Sequence, residues 1–245
     1  MANKRHLKNA PIIEAIVDIQ VKSLPESYLQ TLKAIHAAIA DKYPEELEHR
    51  KMQTTIRLGE TEARTEHSLI GYRHISENKT QVFLATLNGF TFSRLRPYET
   101  WESFRKEALA LWELYANTVN PELITRVALR YINRLEIPFP GESFDKYLTS
   151  PPNLSPNISQ AIGSFLTRII IPEPALYATA VITQAMDPLF SKDTRTAPVI
   201  LDIDVFKEGE FTKEETWGAI IDQLRELKNK IFFESITEEM ARLCD

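Results

Sequence analysis

Residues 12–21 read Ile12-Ile13-Glu14-Ala15-Ile16-Val17-Asp18-Ile19-Gln20-Val21. From Val17 onward apolar and polar residues alternate, the rhythm of a strand with one face in a core and one face out. Glu14 and Asp18 share the outer face. A second stretch has the same design: Ile132-Asn133-Arg134-Leu135-Glu136-Ile137. It lies 132 − 16 = 116 residues downstream of Ile16 and sets Arg134 on Asp18, Leu135 on Ile19 and Glu136 on Gln20.

The same offset joins other landmarks. Glu99-Thr100-Trp101 and Glu215-Thr216-Trp217 repeat one tripeptide at 215 − 99 = 116, in a chain with three tryptophans. Glu26-Ser27-Tyr28 lands on Glu142-Ser143-Phe144, again at 142 − 26 = 116. Behind each Trp runs a helical stripe in the same phase. The first is Trp101, Phe104, Ala108, Leu111, Trp112, Tyr115 and Val119; the second is Trp217, Ile220, Ile221, Leu224, Leu227, Lys228 and Ile231. These matches predict a duplicated β-α-β-β-β-α unit. Residues 1–120 and 121–245 would form one continuous pseudo-twofold domain. The expected fold class is α+β, a mainly antiparallel twisted sheet with helices packed on one face.

Within the first unit, strands are expected at 12–22, near 50–59, 66–76 and 79–95. A helix near 26–43 would start at a Ser23-x-x-Glu26 box, with Pro25 in its first turn. Its stripe is Leu29, Leu32, Ile35, Ile39 and Tyr43, Pro44 ends it, and Pro44–Glu48 reads as a solvated turn. The second unit has strands at 123–137, 163–172, 175–186 and 198–206. Its first helix is cut short, because residues 148–159 carry three prolines. Thr212-x-x-Glu215 and Ser235-x-x-Glu238 read as capping boxes.

Composition narrows the function classes. A net charge of −5 argues against non-specific nucleic-acid binding, which runs on phosphate neutralisation. The single cysteine, Cys244, rules out a disulfide within the chain, suits a cytoplasmic protein and reads as a thiol near a fraying end. No run of about 18 apolar residues offers a membrane span. The seven glycines are isolated, so no phosphate-cradling loop exists. The histidines His6, His36, His49, His67 and His74 lack metal-ligand spacing and read as surface residues, with His67 and His74 on opposite faces of one strand. The tryptophans read as core.

Two constellations are candidates for chemistry. Arg126, Arg130 and Arg134 share one face of the strand at 123–137, opposite Glu14 and Asp18 on the first strand. They read either as cross-strand ion pairs on a solvated sheet or as a surface for an anion or partner. Asp202 and Asp204 lie two apart on another strand face. With Glu14 or Asp18 as a third acid they could hold Mg²⁺ for phosphoryl chemistry.

The opening NAPIIEAIVDIQV and the ending IFFESITEEM resemble the two ends of a sporadically distributed prokaryotic protein family of about this length. The resemblance implies a cytoplasmic microbial protein, with an accessory role in a defence or mobile-element system as its association; no catalytic residue is implied. The leading expectation is a non-enzymatic binding or interaction module without a cofactor, whose partner is another protein or a second copy of the chain. The alternatives are a metal-dependent enzyme acting on phosphate-containing substrates, and nucleic-acid binding through the Arg126–Arg134 face.

Overall fold

The computed structural model describes residues 1–55, 64–138, 143–187 and 196–245. The far end of the strand expected at 50–59, the glycines Gly59 and Gly141, and the landmark Glu142 lie outside the described residues.

One antiparallel sheet of nine strands organises the described chain. The strands are β1 (Ile12–Val21), β2 (Glu45–Thr55), β3 (Arg64–Ile75), β4 (Gln81–Thr86), β5 (Gly89–Leu95), β6 (Ile124–Pro138), β7 (Leu166–Glu173), β8 (Ala178–Met186) and β9 (Thr196–Phe211). Their order is β2-β3-β4-β5-β1-β6-β9-β8-β7. The two leading strands therefore pair with each other at the centre. Ala15 and Tyr131, which are 131 − 15 = 116 residues apart, are Cα partners there.

The helices cover one face, because alternate strand residues on that face are apolar. Ala15, Val17, Ile19, Val127, Leu129, Leu135, Leu201 and Ile203 are buried. Above them lie α1 (Leu29–Ile39), α2 (Trp101–Val119) and a rod of α3 (Lys213–Glu215), a wide turn (Thr216–Ile220) and α4 (Ile221–Ser235); α5 (Glu238–Leu243) follows. The predicted stripes are the buried ones. In α2 Phe104, Ala108, Leu111, Trp112, Tyr115 and Val119 are buried and Trp101 half-buried. The rod buries Trp217, Ile220, Ile221, Leu224, Leu227, Lys228 and Ile231. Ring pairs such as Phe92–Phe104, 5.4 Å between centroids, weld sheet to helix.

Several expectations are corrected. The strand expected at 79–95 is a hairpin, β4 and β5, turned at Leu87-Asn88, so the first unit has one strand more than predicted. Asn88-Gly89 is the local turn signal in this stretch, and Gly89 takes φ +147°, a conformation side chains resist. Gly71 is needed for a different reason: a Cβ there would meet Ala85 O and lie 2.6 Å from Thr86 Cα, closing the β3–β4 approach. Residues 45–48 belong to β2 and not to a turn. Ser23 does not cap the first helix; its hydroxyl donates to Asn88 Oδ1 at 2.9 Å, and residues 26–28 form a 3-10 turn instead. Ser235 is a buried residue bonded to Ile231 O at 2.7 Å, and Thr237 caps α5. The Thr212–Glu215 box forms as predicted, with both reciprocal bonds. Cys244 is buried and does not fray, because Asn9 N–H donates to its carbonyl at 2.9 Å.

Candidate functional site

The open face of the sheet carries the predicted arginines, and each meets acids. Arg126 donates to Asp18 at 2.8 Å and to Asp204 at 3.1 Å, with its guanidinium 4.3 Å over the Phe206 ring. Arg130 grips both oxygens of Asp202, at 2.8 and 2.5 Å, in the bidentate fork that suits a carboxylate. Arg134 pairs with Glu136 and donates to Asp187 at 2.7 Å. The contacts are diagonal. Arg130 lies opposite Asp204 in register yet bonds Asp202, one step along β9. Asp18 also accepts from Thr91 at 2.9 Å. Glu14 makes no ion pair among the described residues and acts on Arg130 only through its charge. Burial pushes the Asp204 carboxyl upward, and Arg126 and Arg130 pull it only partly back.

The same geometry bears on the carboxylate pair. Asp202 and Asp204 share a strand face as expected, but guanidinium groups occupy the space between them and Asp18. Among the described residues, the group of acids and histidines with ligand atoms within 4.8 Å of one another is His36, Glu46 and His74. Asp18, Asp202 and Asp204 do not converge in that way.

A different site lies at the other side of the sheet. Residues 2–12 form a strap across the helix layer. Ala2 N–H donates to Phe233 O at 3.1 Å, and Arg5 pairs with Glu238 at 2.8 Å and Asp245 at 2.9 Å. Between this strap, residues 98–102 and α4 is a cavity of about 590 Å³. Lys4 (paired with Glu226), Lys8, Arg225 and Lys228 bring positive charge to its wall, Glu99 and Glu102 bring negative charge, and Trp101 and Phe232 bring apolar surface. Arg225 lies 5.0 Å over the Trp101 ring. Lys228 is 8 % exposed, with its ammonium 3.8 Å over the Tyr131 ring, and it has no ion pair among the described residues. The Tyr131 and Tyr98 hydroxyls are 2.8 Å apart.

Burial marks this cavity electrostatically. Burial, then the neighbouring Arg225, lowers the Lys228 ammonium to about 7, with Glu226 opposing and Lys4 adding to the shift. Burial raises Tyr98 to about 12 and pushes Tyr131 well above its ordinary range. A buried lysine whose charge is disfavoured is a site where a bound anion would stabilise the charged form, although Glu99 and Glu102 also line this cavity.

Sequence reasoning placed Lys228 on the buried stripe but drew nothing from it. The available signal was a lysine in phase with Leu224, Leu227 and Ile231, where a charge is costly. The histidine reading is corrected too: His74 is fully buried, and His36 and Glu46 are half-buried beside it. No helix is long and apolar enough to cross a membrane among the described residues. No family model matches the chain, and no curated protein matches it.

Proposed function

We propose that this chain is a binding module and not an enzyme, and that it takes a small anion with a planar or apolar body in the strap-covered cavity. The observation that carries this reading is Lys228, a buried ammonium at the cavity wall without a carboxylate in ion-pair range among the described residues. A phosphate, sulfonate or carboxylate would supply the missing partner through charge-assisted hydrogen bonds. Trp101 and Phe232 would receive the apolar body. The arginine face supports an anion or nucleic-acid site less well, since its guanidiniums already hold Asp18, Asp202, Asp204 and Asp187. The metal-dependent enzyme is weakened by the same pairs. An internal duplication accounts for the central pairing of β1 with β6. A reducing, cytoplasmic setting accords with the lone free thiol.

Naphthalene-1-sulfonate, followed by tryptophan fluorescence at pH 6.5, tests the proposal. Binding weakens by more than about tenfold in Lys228→Met and for the neutral naphthalene-1-sulfonamide, as expected for loss of a charged hydrogen bond. Equal affinity of the folded variant for the sulfonate refutes it.

A second reading follows from β7. Among the described residues β7 is an edge strand with Leu166, Ile169 and Ile170 exposed, a surface suited to a second copy of the chain.

A further inference from the structure

We propose that His36, Glu46 and His74 form a binding site for a divalent transition metal, with Zn²⁺ the best match. The site is remote in the fold from the strap cavity, and its failure would leave the anion reading untouched. Three elements build it: α1 supplies His36, β2 supplies Glu46 and β3 supplies His74. Glu46 and His74 are Cα partners in the β2–β3 ladder, so both side chains rise from the same face toward α1.

The second observation is a set of buried polar atoms without partners. His74 is 0 % exposed, and neither ring nitrogen makes a hydrogen bond among the described residues. His36 Nδ1 and Glu46 Oε2 are also buried without a hydrogen bond among the described residues, and lie 3.9 Å apart, a long ion pair only if His36 is protonated. Buried polar groups without partners are rare, and those present call for an explanation such as an ion. Here four such atoms lie in one place. The His36 and His74 rings are stacked at 13°, with centroids 5.5 Å apart, and Phe83 backs His74 at 5.2 Å. One ligand atom from each residue lies within 4.8 Å of the others. Tetrahedral Zn–N and Zn–O bonds of about 2.0–2.1 Å put ligand atoms roughly 3.4 Å apart, so closure needs side-chain movements of about 1 Å.

Donor type sets the metal class. Two imidazoles and one carboxylate suit zinc or its transition-metal neighbours, whereas Mg²⁺ and Ca²⁺ prefer oxygen shells. Three protein ligands leave a fourth position for water or another ligand. The ion would clamp α1 to β2, the edge strand at this end of the sheet.

After chelator treatment the full chain is titrated with Co²⁺, read by its visible d–d absorption, and then with Zn²⁺ in competition. One ion per chain, the intense bands of four-coordinate Co²⁺ and a rise in Tm with Zn²⁺ are expected. Affinity falls at least about tenfold in His36→Ala and in Glu46→Gln. Those two side chains are half-buried, and their variants are checked for native circular dichroism; His74→Phe keeps a ring against Phe83 if His74→Ala does not fold. No uptake by the wild type overturns the proposal, as does uptake unchanged in the folded His36→Ala and Glu46→Gln variants.

Discussion

Replacing Lys228 by Met keeps an unbranched stem and removes the ammonium. In the native protein burial and Arg225 bring this lysine from its ordinary 10.5 to about 7. The lowered value means that the unfolded chain binds a proton more readily than the native one between pH 7 and pH 10.5. Stability therefore rises with pH across that window. Below pH 7 both states are charged, and the native state carries the whole penalty, roughly 5 kcal/mol at 1.36 kcal/mol per unit. The linkage relation leaves roughly 3 kcal/mol at pH 8 and roughly 1 kcal/mol at pH 10. The Met variant lacks this term, though it loses a cation–π contact with Tyr131 worth about 1–2 kcal/mol. Urea unfolding of both proteins from pH 6 to pH 10 measures the difference, in which other titrating groups largely cancel. The advantage of the variant should shrink by roughly 4 kcal/mol over that range. A difference that stays flat to within about 1 kcal/mol would show that Lys228 is not a desolvated lysine, and the anion proposal would lose its basis.

Asp18→Asn, Arg126→Met and the double variant form a thermodynamic cycle on the open face. Both side chains are mostly buried, at 28 % and 17 % exposure, so a coupling of about 1–3 kcal/mol is expected in urea unfolding. A coupling below about 0.5 kcal/mol would mark the pair as a surface contact of no structural weight. Sedimentation equilibrium tests self-association through β7: Ile170→Lys should weaken dimer formation at least about tenfold. A wild-type chain that stays monomeric up to millimolar concentration removes that reading.

Local patterns carried much of the fold in readable form. Alternation identified β1 and β6, helical stripes identified the buried faces of α1, α2 and α4, and the Thr212–Glu215 box marked the start of the last rod. Each depends on residues within one or two turns or a few strand positions, where periodicity and capping act. The misread places are those where local cues were silent or misleading. The hairpin signal Asn88-Gly89 was outweighed by the apolar residues on either side of it, and Glu45–Glu48 looked solvated because charge at a sheet edge resembles charge in a loop. The face-sharing of Arg126, Arg130 and Arg134 was legible, and so was their opposition to acids, but their choice of Asp202 and Asp204 over Glu14 depended on the β6–β9 register, and that of Asp187 on where β8 ends beside β9.

From the chain alone came the α+β class, the two tryptophan-led helices, the strand faces and the absence of a glycine-rich phosphate loop. Tertiary structure decided the strand order, the burial of Lys228 under the N-terminal strap, and the meeting of His36, Glu46 and His74. The reason is one of range. Propensity and pattern are written in neighbouring residues, whereas desolvation and charge at a site are set by groups that the chain brings together from far apart.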